Sequence, residues 1–312
     1  MYLPYLRGRQ FELLALRELL EKKLLGNKII PIIEPIKLTS TLTKTLKVYS
    51  TNKKSIGIIM NPKVGNFKLD VKKLKDTDKD NATLKSLFDS IKEENIIKAY
   101  IMTHKILEKL KGKDEKNKFI IINNSRDNIN CYFDAYSDEY PLFTLIPDDR
   151  AFRRGVKSGK ILFGNKFKKR ERNVDYIKDD DEFFSDDHLF FNEEGYEGFS
   201  DYSVVGEEFN ESGFAPLAVA IHIVYFDNKR NLRIKHFVSD SNEDINDPAG
   251  KFGEALEKLV FWIGQEKTPL TEALKQFKEL YDTGKYPGLG TVKKLSIMHH
   301  IELINMYLEG EV

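Results

Sequence analysis

Ile29-Ile30-Pro31-Ile32-Ile33 is a continuous apolar run that lies between the turn residues Gly26-Asn27 and the dipeptide Glu34-Pro35. A run of this kind, without polar alternation, is typical of a strand buried on both faces in a parallel sheet. Ahead of it, leucines recur at intervals of three and four over residues 9–25, which predicts an amphipathic helix. Together the two patterns predict an α/β fold.

Similar apolar runs recur along the chain. They cover residues 55–60, 96–102, 118–122, 140–146, 160–163 and 198–205, followed by a pair at 218–226 and 232–238. Helical or loop patterns separate most of them, and strands that alternate with helices form βα units. Eight or nine strands favour a TIM-like (β/α)8 barrel over an open doubly wound sheet.

The alternation breaks near the end of this series. Residues 227–231 are too few for a helical crossover, so the last pair of runs is expected to form a hairpin and to make the barrel irregular there. Three helical patterns follow, at 251–263, 269–281 and 293–308. The predicted domains are a barrel over 1–248, with a charged insertion at 166–215, and C-terminal helices over 249–312 that complete or flank it.

Composition narrows the class of protein. The 50 Lys and Arg residues against 49 Asp and Glu leave a formal charge of +1, so no overall field attracts nucleic acid or a membrane. A lone Cys131 excludes an internal disulfide and a Cys-rich zinc site. No apolar run approaches the roughly 20 residues of a membrane span, and the N-terminus lacks a signal pattern. We expect a cytoplasmic protein with no membrane partner.

Candidate site residues come from the strand ends, because barrel enzymes place reactive groups at the C-terminal ends of their strands. Polar side chains there include Asn123 and Asn124, and carboxylates, amides and cations on one rim suit an anionic ligand and proton exchange. The candidate catalytic residues are Glu34, His104, Asp148, Asp201 and His236. The candidate ligand-binding residues are Asn61, Lys63, Arg150, Arg154 and Lys166. No metal ligand is assigned among these residues, and the pattern does not identify a cofactor.

Two of these residues have a second interpretation. Glu34 is a general base or ligand, or else a carboxylate stabilised by backbone N–H groups at a helix N-terminus. His104 is an acid or base, or else a helix-capping or surface residue. No phosphate loop, nucleophile elbow or dinucleotide fingerprint occurs in the chain, so no enzyme class is assigned.

The histidines raise further alternatives. An odd number of turn residues puts His222 directly opposite His236 in the hairpin, whereas an even number puts Lys235 opposite His222. A facing pair with Asp240 or Glu34 would suit a divalent metal. The adjacent His299 and His300 diverge by about 100° on a helix, so one is expected to be packed and the other exposed.

The formal net charge of the chain is close to zero, but it includes a basic run and an acidic run that lie close together in the sequence. Residues 166–172 are strongly basic and residues 175–187 strongly acidic. The basic run, with Arg150, Arg153, Arg154 and Lys157, would share one rim of a barrel and suits phosphates or a nucleic-acid backbone. The alternative is a solvated rim that the acidic run neutralises.

Short motifs resemble a known family. Tyr2-Leu3-Pro4-Tyr5-Leu6-Arg7-Gly8-Arg9-Gln10-Phe11-Glu12 and Ile30-Pro31-Ile32-Ile33-Glu34-Pro35 resemble the start of the beta-protein family, which is named for a phage protein. Gly198-Phe199-Ser200-Asp201-Tyr202 and the histidine hairpin are similar to that family's C-terminal half, and residues 293–303 to a bacterial subgroup of it. The resemblance implies a TIM-like barrel and a role in phage defence or mobile-element conflict. It supplies no catalytic residues.

Three functions follow from these patterns. The first is a defence-associated barrel that binds a phosphorylated small molecule or nucleic acid at its rim. The second is a non-catalytic subunit of a defence complex that docks a partner enzyme through its charged insertion and C-terminal helices. The third is a metal-dependent hydrolase built on the histidine pair.

Overall fold

A computed structural model describes residues 1–111, 114–137, 139–210, 216–265 and 268–312. Residues 211–215, the end of the predicted charged insertion, lie outside this part of the chain. The chain forms two compact units. The first unit comprises Met1–Leu20, Asn27–Gly164 and Phe190–Asp201, and the second comprises Glu21–Gly26, Asn165–Leu189 and Tyr202–Val312.

The strands and helices are numbered in chain order. The strands are β1 (Tyr5–Leu6), β2 (Ile32–Ile33), β3 (Ile56–Ile59), β4 (Ile96–Ile101), β5 (Ile120–Ile122), β6 (Phe143–Ile146), β7 (Lys160–Gly164), β8 (Asp181–Ser185), β9 (Gly198–Asp201), β10 (Ala220–Phe226) and β11 (Leu232–Val238). The helices are α1 (Gln10–Glu21), α2 (Ser40–Thr51), α3 (Phe67–Thr77), α4 (Ala82–Ser90), α5 (His104–Leu110), α6 (Ile129–Ala135), α7 (Arg150–Gly155), α8 (Asp187–Phe190), α9 (Pro248–Ile263), α10 (Glu272–Thr283) and α11 (Leu289–Glu309).

The first unit is a barrel of eight parallel strands in the order β1-β2-β3-β4-β5-β6-β7-β9. Its two ends meet at Phe199, whose N–H donates to Met1 O at 3.0 Å and whose carbonyl accepts from Leu3 N–H at 2.9 Å. The sheet is thereby nearly closed and helices surround it, which confirms the predicted TIM-like (β/α)8 barrel with C-terminal helices.

The eighth strand is not the one expected. The sequence pattern assigned the hairpin to the barrel, but the structure uses β1, a two-residue strand that pairs in parallel with β2. A strand this short carries too few residues for a periodic pattern. The hairpin cannot take its place, because its two strands pair antiparallel with each other.

The second unit contains that hairpin in a three-stranded antiparallel sheet of order β10-β11-β8, together with α9, α10 and α11. Residues 165–189 and 202–247 therefore group with the C-terminal helices, whereas the sequence pattern placed them with the barrel. His222 pairs with His236 in the register of β10 and β11, so the facing arrangement is the one that forms. No helix in the described part of the chain is long and apolar enough to cross a membrane.

Candidate functional site

Glu34 is the central polar residue at the C-terminal end of the barrel strands. It directly follows β2 and is fully buried. Its Oε2 accepts a 2.7 Å hydrogen bond from the Tyr5 hydroxyl and forms an ion pair with Arg7, while its Oε1 accepts from Lys63 N–H at 2.7 Å. A buried carboxylate needs such compensation, because burial without a partner is costly. The carboxylate therefore ties β1, β2 and the β3–α3 loop together.

Gly8 explains how Arg7 comes so close to Glu34. It adopts φ +64°, and a Cβ there would lie 2.9 Å from Ile33 Cγ2 and 3.3 Å from the Glu34 carbonyl oxygen. Only glycine tolerates both the left-handed backbone and this approach. The tight turn after β1 thus brings the guanidinium to the end of β2. Tyr5 and Arg7, which belong to the motif behind the resemblance, were not selected as site residues from the sequence.

Asn61 and Lys63 serve the barrel frame through different groups. The Asn61 amide donates to Ile101 O at 2.8 Å and accepts from Ile101 N–H at 2.9 Å, which joins the ends of β3 and β4. Lys63 contributes its backbone N–H to Glu34, and its side chain is exposed. Of these two predicted ligand-binding residues, only the Lys63 side chain is open to a ligand.

His104, Asp148 and Arg150 lie on the same end of the barrel, whereas Arg154 lies in the last turn of α7, which leads towards the start of β7; all four are exposed. His104 is the first residue of α5, and the cap of that helix is Thr103, whose side chain accepts from Ile106 N–H at 3.3 Å. Asp148 makes an exposed ion pair with Arg153 at 3.4 Å. These side chains present an open, charged surface rather than a closed constellation around Glu34.

Asp201 lies at the C-terminal end of β9 and is also buried. The Tyr2 hydroxyl donates to its Oδ1 at 2.8 Å, and burial together with this carboxylate raises the pKa of Tyr2. Because side chains alternate along a strand, Asp201 shares a face with Phe199, which stacks on Tyr2, and lies opposite Ser200. The structure therefore pairs Asp201 with Tyr2.

Asn123 follows β5 and is fully buried, yet neither atom of its side-chain amide has a hydrogen-bond partner among the described residues. Burying an unpaired amide costs about 1–3 kcal/mol, so such groups in proteins usually hold water or a ligand. Asn123 is a strand-end residue that was noted from the sequence but not selected as a site residue. Its exposed neighbour Asn124 extends the polar surface at this end of the barrel.

Lys166 and His236 belong to the second unit. Lys166 follows barrel strand β7 by two residues, whereas His236 lies on β11 of the antiparallel sheet and not on a barrel strand. Lys166 forms an ion pair with Asp187 at 2.7 Å. Three more residues of the basic run pair in the same way with the acidic run, namely Lys168 with Glu182, Arg170 with Asp179 and Arg172 with Asp175, whereas Lys169 pairs with Glu208 outside it. The two runs neutralise each other within the unit.

His236 is part of a hydrogen-bonded chain of three side chains. Its Nδ1 lies 2.7 Å from Nδ1 of His222, and its Nε2 lies 3.4 Å from Glu182 Oε1. Burial lowers the pKa of both histidines, and the charge of Lys293 lowers that of His222 further. Burial would raise the pKa of Glu182, but Lys168 and His236 hold it below its ordinary value.

This geometry does not suit the metal alternative. Two nitrogen ligands of a tetrahedral zinc ion at about 2.0–2.1 Å are separated by more than 3 Å, whereas these two nitrogens share a hydrogen bond. Across the residues that the structure describes, no group of three or more His, Cys, Asp or Glu side chains is arranged to hold a metal ion.

His299 and His300 differ from the expectation that one is exposed, because both are fully buried. His299 bonds Thr271 Oγ1 at 2.8 Å and the Val224 carbonyl at 2.7 Å, and His300 bonds Ser203 Oγ at 2.9 Å. Burial lowers the pKa of His299 to about 4 and that of His300 to about 3. Adjacent helix positions can both be buried here because α11 is covered on several sides, with buried residues at almost every position from 295 to 305.

The chain matches no protein-family model, no curated protein and no solved structure at a significant level.

Proposed function

We propose that the C-terminal face of the barrel binds a phosphate-bearing polyanion, and we favour a nucleic-acid strand. The observation that carries the proposal is a set of exposed cations on this face. Lys63 and Arg150 are exposed, and neither has an acidic side chain within ion-pair distance among the described residues. Cations that are not already neutralised are the groups that contact phosphates.

The charge of each unit supports the proposal. The barrel unit contains 30 Lys and Arg residues against 23 Asp and Glu, a formal charge of +7, whereas the second unit contains 20 against 26, a charge of −6. The near-zero total is therefore a sum over two oppositely charged units. A positive unit attracts a polyanion even when the whole chain is close to neutral.

The distribution of the cations favours an extended ligand over a single phosphate. Lys68, Lys105 and Arg150 lie in the first turns of α3, α5 and α7, which follow three different strands. Each exposed cation makes a weak contact, and a strand with many phosphates adds such contacts together.

The proposal concerns binding and assigns no catalytic step. The carboxylate most suited to acid or base chemistry, Glu34, is held by three donors inside the barrel. A setting in phage defence, as one subunit of a defence complex, is inferred from the resemblance to the beta-protein family.

Fluorescence anisotropy with a labelled single-stranded DNA tests the proposal. We expect Lys63→Gln with Arg150→Gln to weaken binding about tenfold or more and to reduce the slope of log K against log salt by about 0.7 for each phosphate that is no longer neutralised. The matched control is Lys53→Gln with Lys157→Gln, which removes two exposed lysines that precede β3 and β7 at the opposite end of the barrel. Equal losses in both pairs, or no loss in either, would refute the proposed face.

A second candidate function is docking of a partner protein by the second unit. A groove of about 1220 Å³ in that unit is lined by Ile177 and Phe261, which are 50% and 74% exposed, and by the carboxylates of Asp180, Asp181 and Glu257. The exposed Ile177 and Phe261 fit an apolar anchor of a partner segment. Asp180 already pairs with Lys235 and Asp181 with Arg233, so Glu257 is the carboxylate of this set that suits a basic residue of that segment. If this groove docks a partner, Phe261→Glu should abolish binding of that partner. The control is Leu69→Glu, at an exposed apolar residue of the barrel unit, which should leave binding intact.

A further inference from the structure

The second unit contains a cavity of about 300 Å³, which is lined by residues of α11, β10 and the basic run. Much of its wall is apolar and includes Phe167, Tyr176, Val204, Leu289 and Val292. A concave site with apolar walls and a few polar groups is typical of a small-molecule site. The polar groups of the cavity therefore determine which ligand it suits.

Two polar atoms of side chains that line this cavity have no hydrogen-bond partner among the described residues. They are the hydroxyl of Ser296 and Nε2 of His222. Ser296 is only 4% exposed, and a polar group buried to that extent is normally paired. Both atoms are accessible to a water molecule, unlike the unpaired amide of Asn123, whose atoms are enclosed. A ligand in the cavity can therefore bond them.

The Glu182 carboxylate determines the protonation of the neighbouring His236. Glu182 accepts hydrogen bonds from Lys168 at 2.8 Å and from Arg170 at 3.4 Å. These cations keep the carboxylate ionised, so it acts only as an acceptor. Its third partner, His236 Nε2 at 3.4 Å, must then carry a proton. In the neutral ring, His236 Nδ1 is left with a lone pair.

His222 donates to that lone pair from its own Nδ1, over the 2.7 Å that separates the two nitrogens. A neutral imidazole has one N–H, so Nε2 of His222 carries a lone pair. Burial lowers the pKa of His222, which keeps the ring neutral. The cavity thus contains a hydrogen-bond acceptor that lacks a donor.

The charged side chains that line the cavity do not call for a charged ligand. Lys169 and Arg170 each form an ion pair, and Lys293 is not free either. The carboxylate of Glu171 belongs to an exposed residue. A charged ligand would have to leave water without gaining a buried opposite charge, and that transfer is costly. An uncharged ligand avoids this cost.

We propose that this cavity binds an uncharged aromatic molecule that carries an O–H or N–H donor, with Nε2 of His222 accepting the ligand's hydrogen bond. The ring centroid of Tyr176 lies 4.7 Å from that of His222, so a planar ligand meets an aromatic wall beside the acceptor. Ser296 offers a second polar contact. Glu182 and His236 act as positioning residues, because they determine which nitrogen of His222 accepts. The site does not depend on the nucleic-acid binding proposed for the barrel.

The tautomers are tested in the full-length protein by ¹⁵N-edited NMR of the histidine rings, assigned with His222→Phe and His236→Phe. We expect His222 to be protonated on Nδ1 and His236 on Nε2 at neutral pH. A proton on His222 Nε2 in the native protein would overturn the proposal. Glu182→Gln should allow the other tautomer of both rings, because an amide donates as well as accepts. Unchanged tautomers in this variant would overturn the positioning role of Glu182.

Ligand recognition is tested with phenol and fluorobenzene, two rings of similar size of which only phenol carries a donor. Each is titrated into the full-length protein and followed by calorimetry. We expect phenol to bind about tenfold tighter, because one net hydrogen bond of ordinary strength corresponds to about that factor. His222→Phe should remove this preference.

Ser296→Leu tests whether the probes occupy the cavity, since the larger side chain takes up its space and should weaken binding of both. Thr291→Leu is the matched control, because it also replaces a hydroxyl side chain of α11 by leucine but at a residue that does not line the cavity. It should leave both affinities unchanged. Melting curves check that each variant is folded.

Equal affinity of the native protein for phenol and fluorobenzene, or binding of neither, would overturn the proposal. Persistence of the preference in folded His222→Phe would do so as well. Benzoate serves as a third probe, and we expect it to bind more weakly than phenol. Tighter binding of benzoate would overturn the choice of an uncharged ligand.

Discussion

The barrel and the second unit hold their buried ionisable groups in different ways. In the barrel, the buried carboxylate of Glu34 forms an ion pair with Arg7 and accepts hydrogen bonds from Tyr5 and the Lys63 N–H. In the second unit, five of the six histidines of the chain are present, and burial lowers the pKa of each. The barrel is therefore held by a paired charge, and the second unit by groups that must remain neutral.

This difference determines which change lowers the stability of each unit. Removing one partner of a buried ion pair destabilises the folded state, because the other charge stays buried alone. A histidine that is buried in its neutral form destabilises the folded state when the solution becomes acidic, because the unfolded chain then binds the proton more readily. The barrel unit contains only the exposed His104, so mild acid should act mainly on the second unit.

The largest expected effect is on the barrel. Glu34→Ala should lower the free energy of unfolding by about 3–5 kcal/mol, because it leaves the Arg7 charge buried without its partner. Urea denaturation followed by far-UV circular dichroism measures it. The double variant Arg7→Met with Glu34→Gln removes both charges and should recover part of the loss. A loss below about 1 kcal/mol in Glu34→Ala would show that the pair does not hold the barrel together.

The next effect is the acid sensitivity of the second unit. His299 and His300 have folded-state pKa values of about 4 and about 3, below the ordinary value of 6.5. The unfolded chain therefore binds protons that the folded chain does not, and stability is lost as the pH falls below about 6.5. The expected slope is about 1.4 kcal/mol per pH unit for each histidine, until the folded-state pKa is reached.

The fluorescence of Trp262, the single tryptophan of the chain and part of α9, reports unfolding of this unit. His300→Gln should flatten the dependence of stability on pH between 6.5 and 4, because it removes one titrating group. His104→Gln, which removes the exposed histidine of the barrel, should leave it unchanged. An equal slope in all three proteins would mean that the buried histidines do not set the acid sensitivity.

The smallest effect is expected at the exposed ion pairs of the charged runs. Arg172 pairs with Asp175 three residues away, and its side chain is 65% exposed. Solvent and salt screen such a pair, so Arg172→Gln should leave the denaturation midpoint unchanged within measurement error. A clear loss of stability would show that the neutralisation of the two runs holds the second unit together and is more than a surface property.

The polar residues at the site were only partly predictable. Glu34 and Asn61 were selected because they end apolar runs, and that rule needs no knowledge of contacts. Their partners were not predictable, since Tyr5 lies 29 residues from Glu34 and Ile101 lies 40 residues from Asn61. Glu182 was missed for the same reason, because it lies 54 residues from His236 and looks in the sequence like one more carboxylate of an acidic run.

The sequence by itself determined the barrel class, because strands buried on both faces are mostly apolar, and six of the eight barrel strands, β2 to β7, carry that local pattern. Only the tertiary structure decided that Tyr5–Leu6 is the eighth strand, that the histidine hairpin belongs to another sheet, and that the basic and acidic runs pair with each other. The reason is physical. The residue types of a segment indicate whether that segment is buried. A hydrogen bond or an ion pair, in contrast, depends on two segments that meet only when the chain has folded.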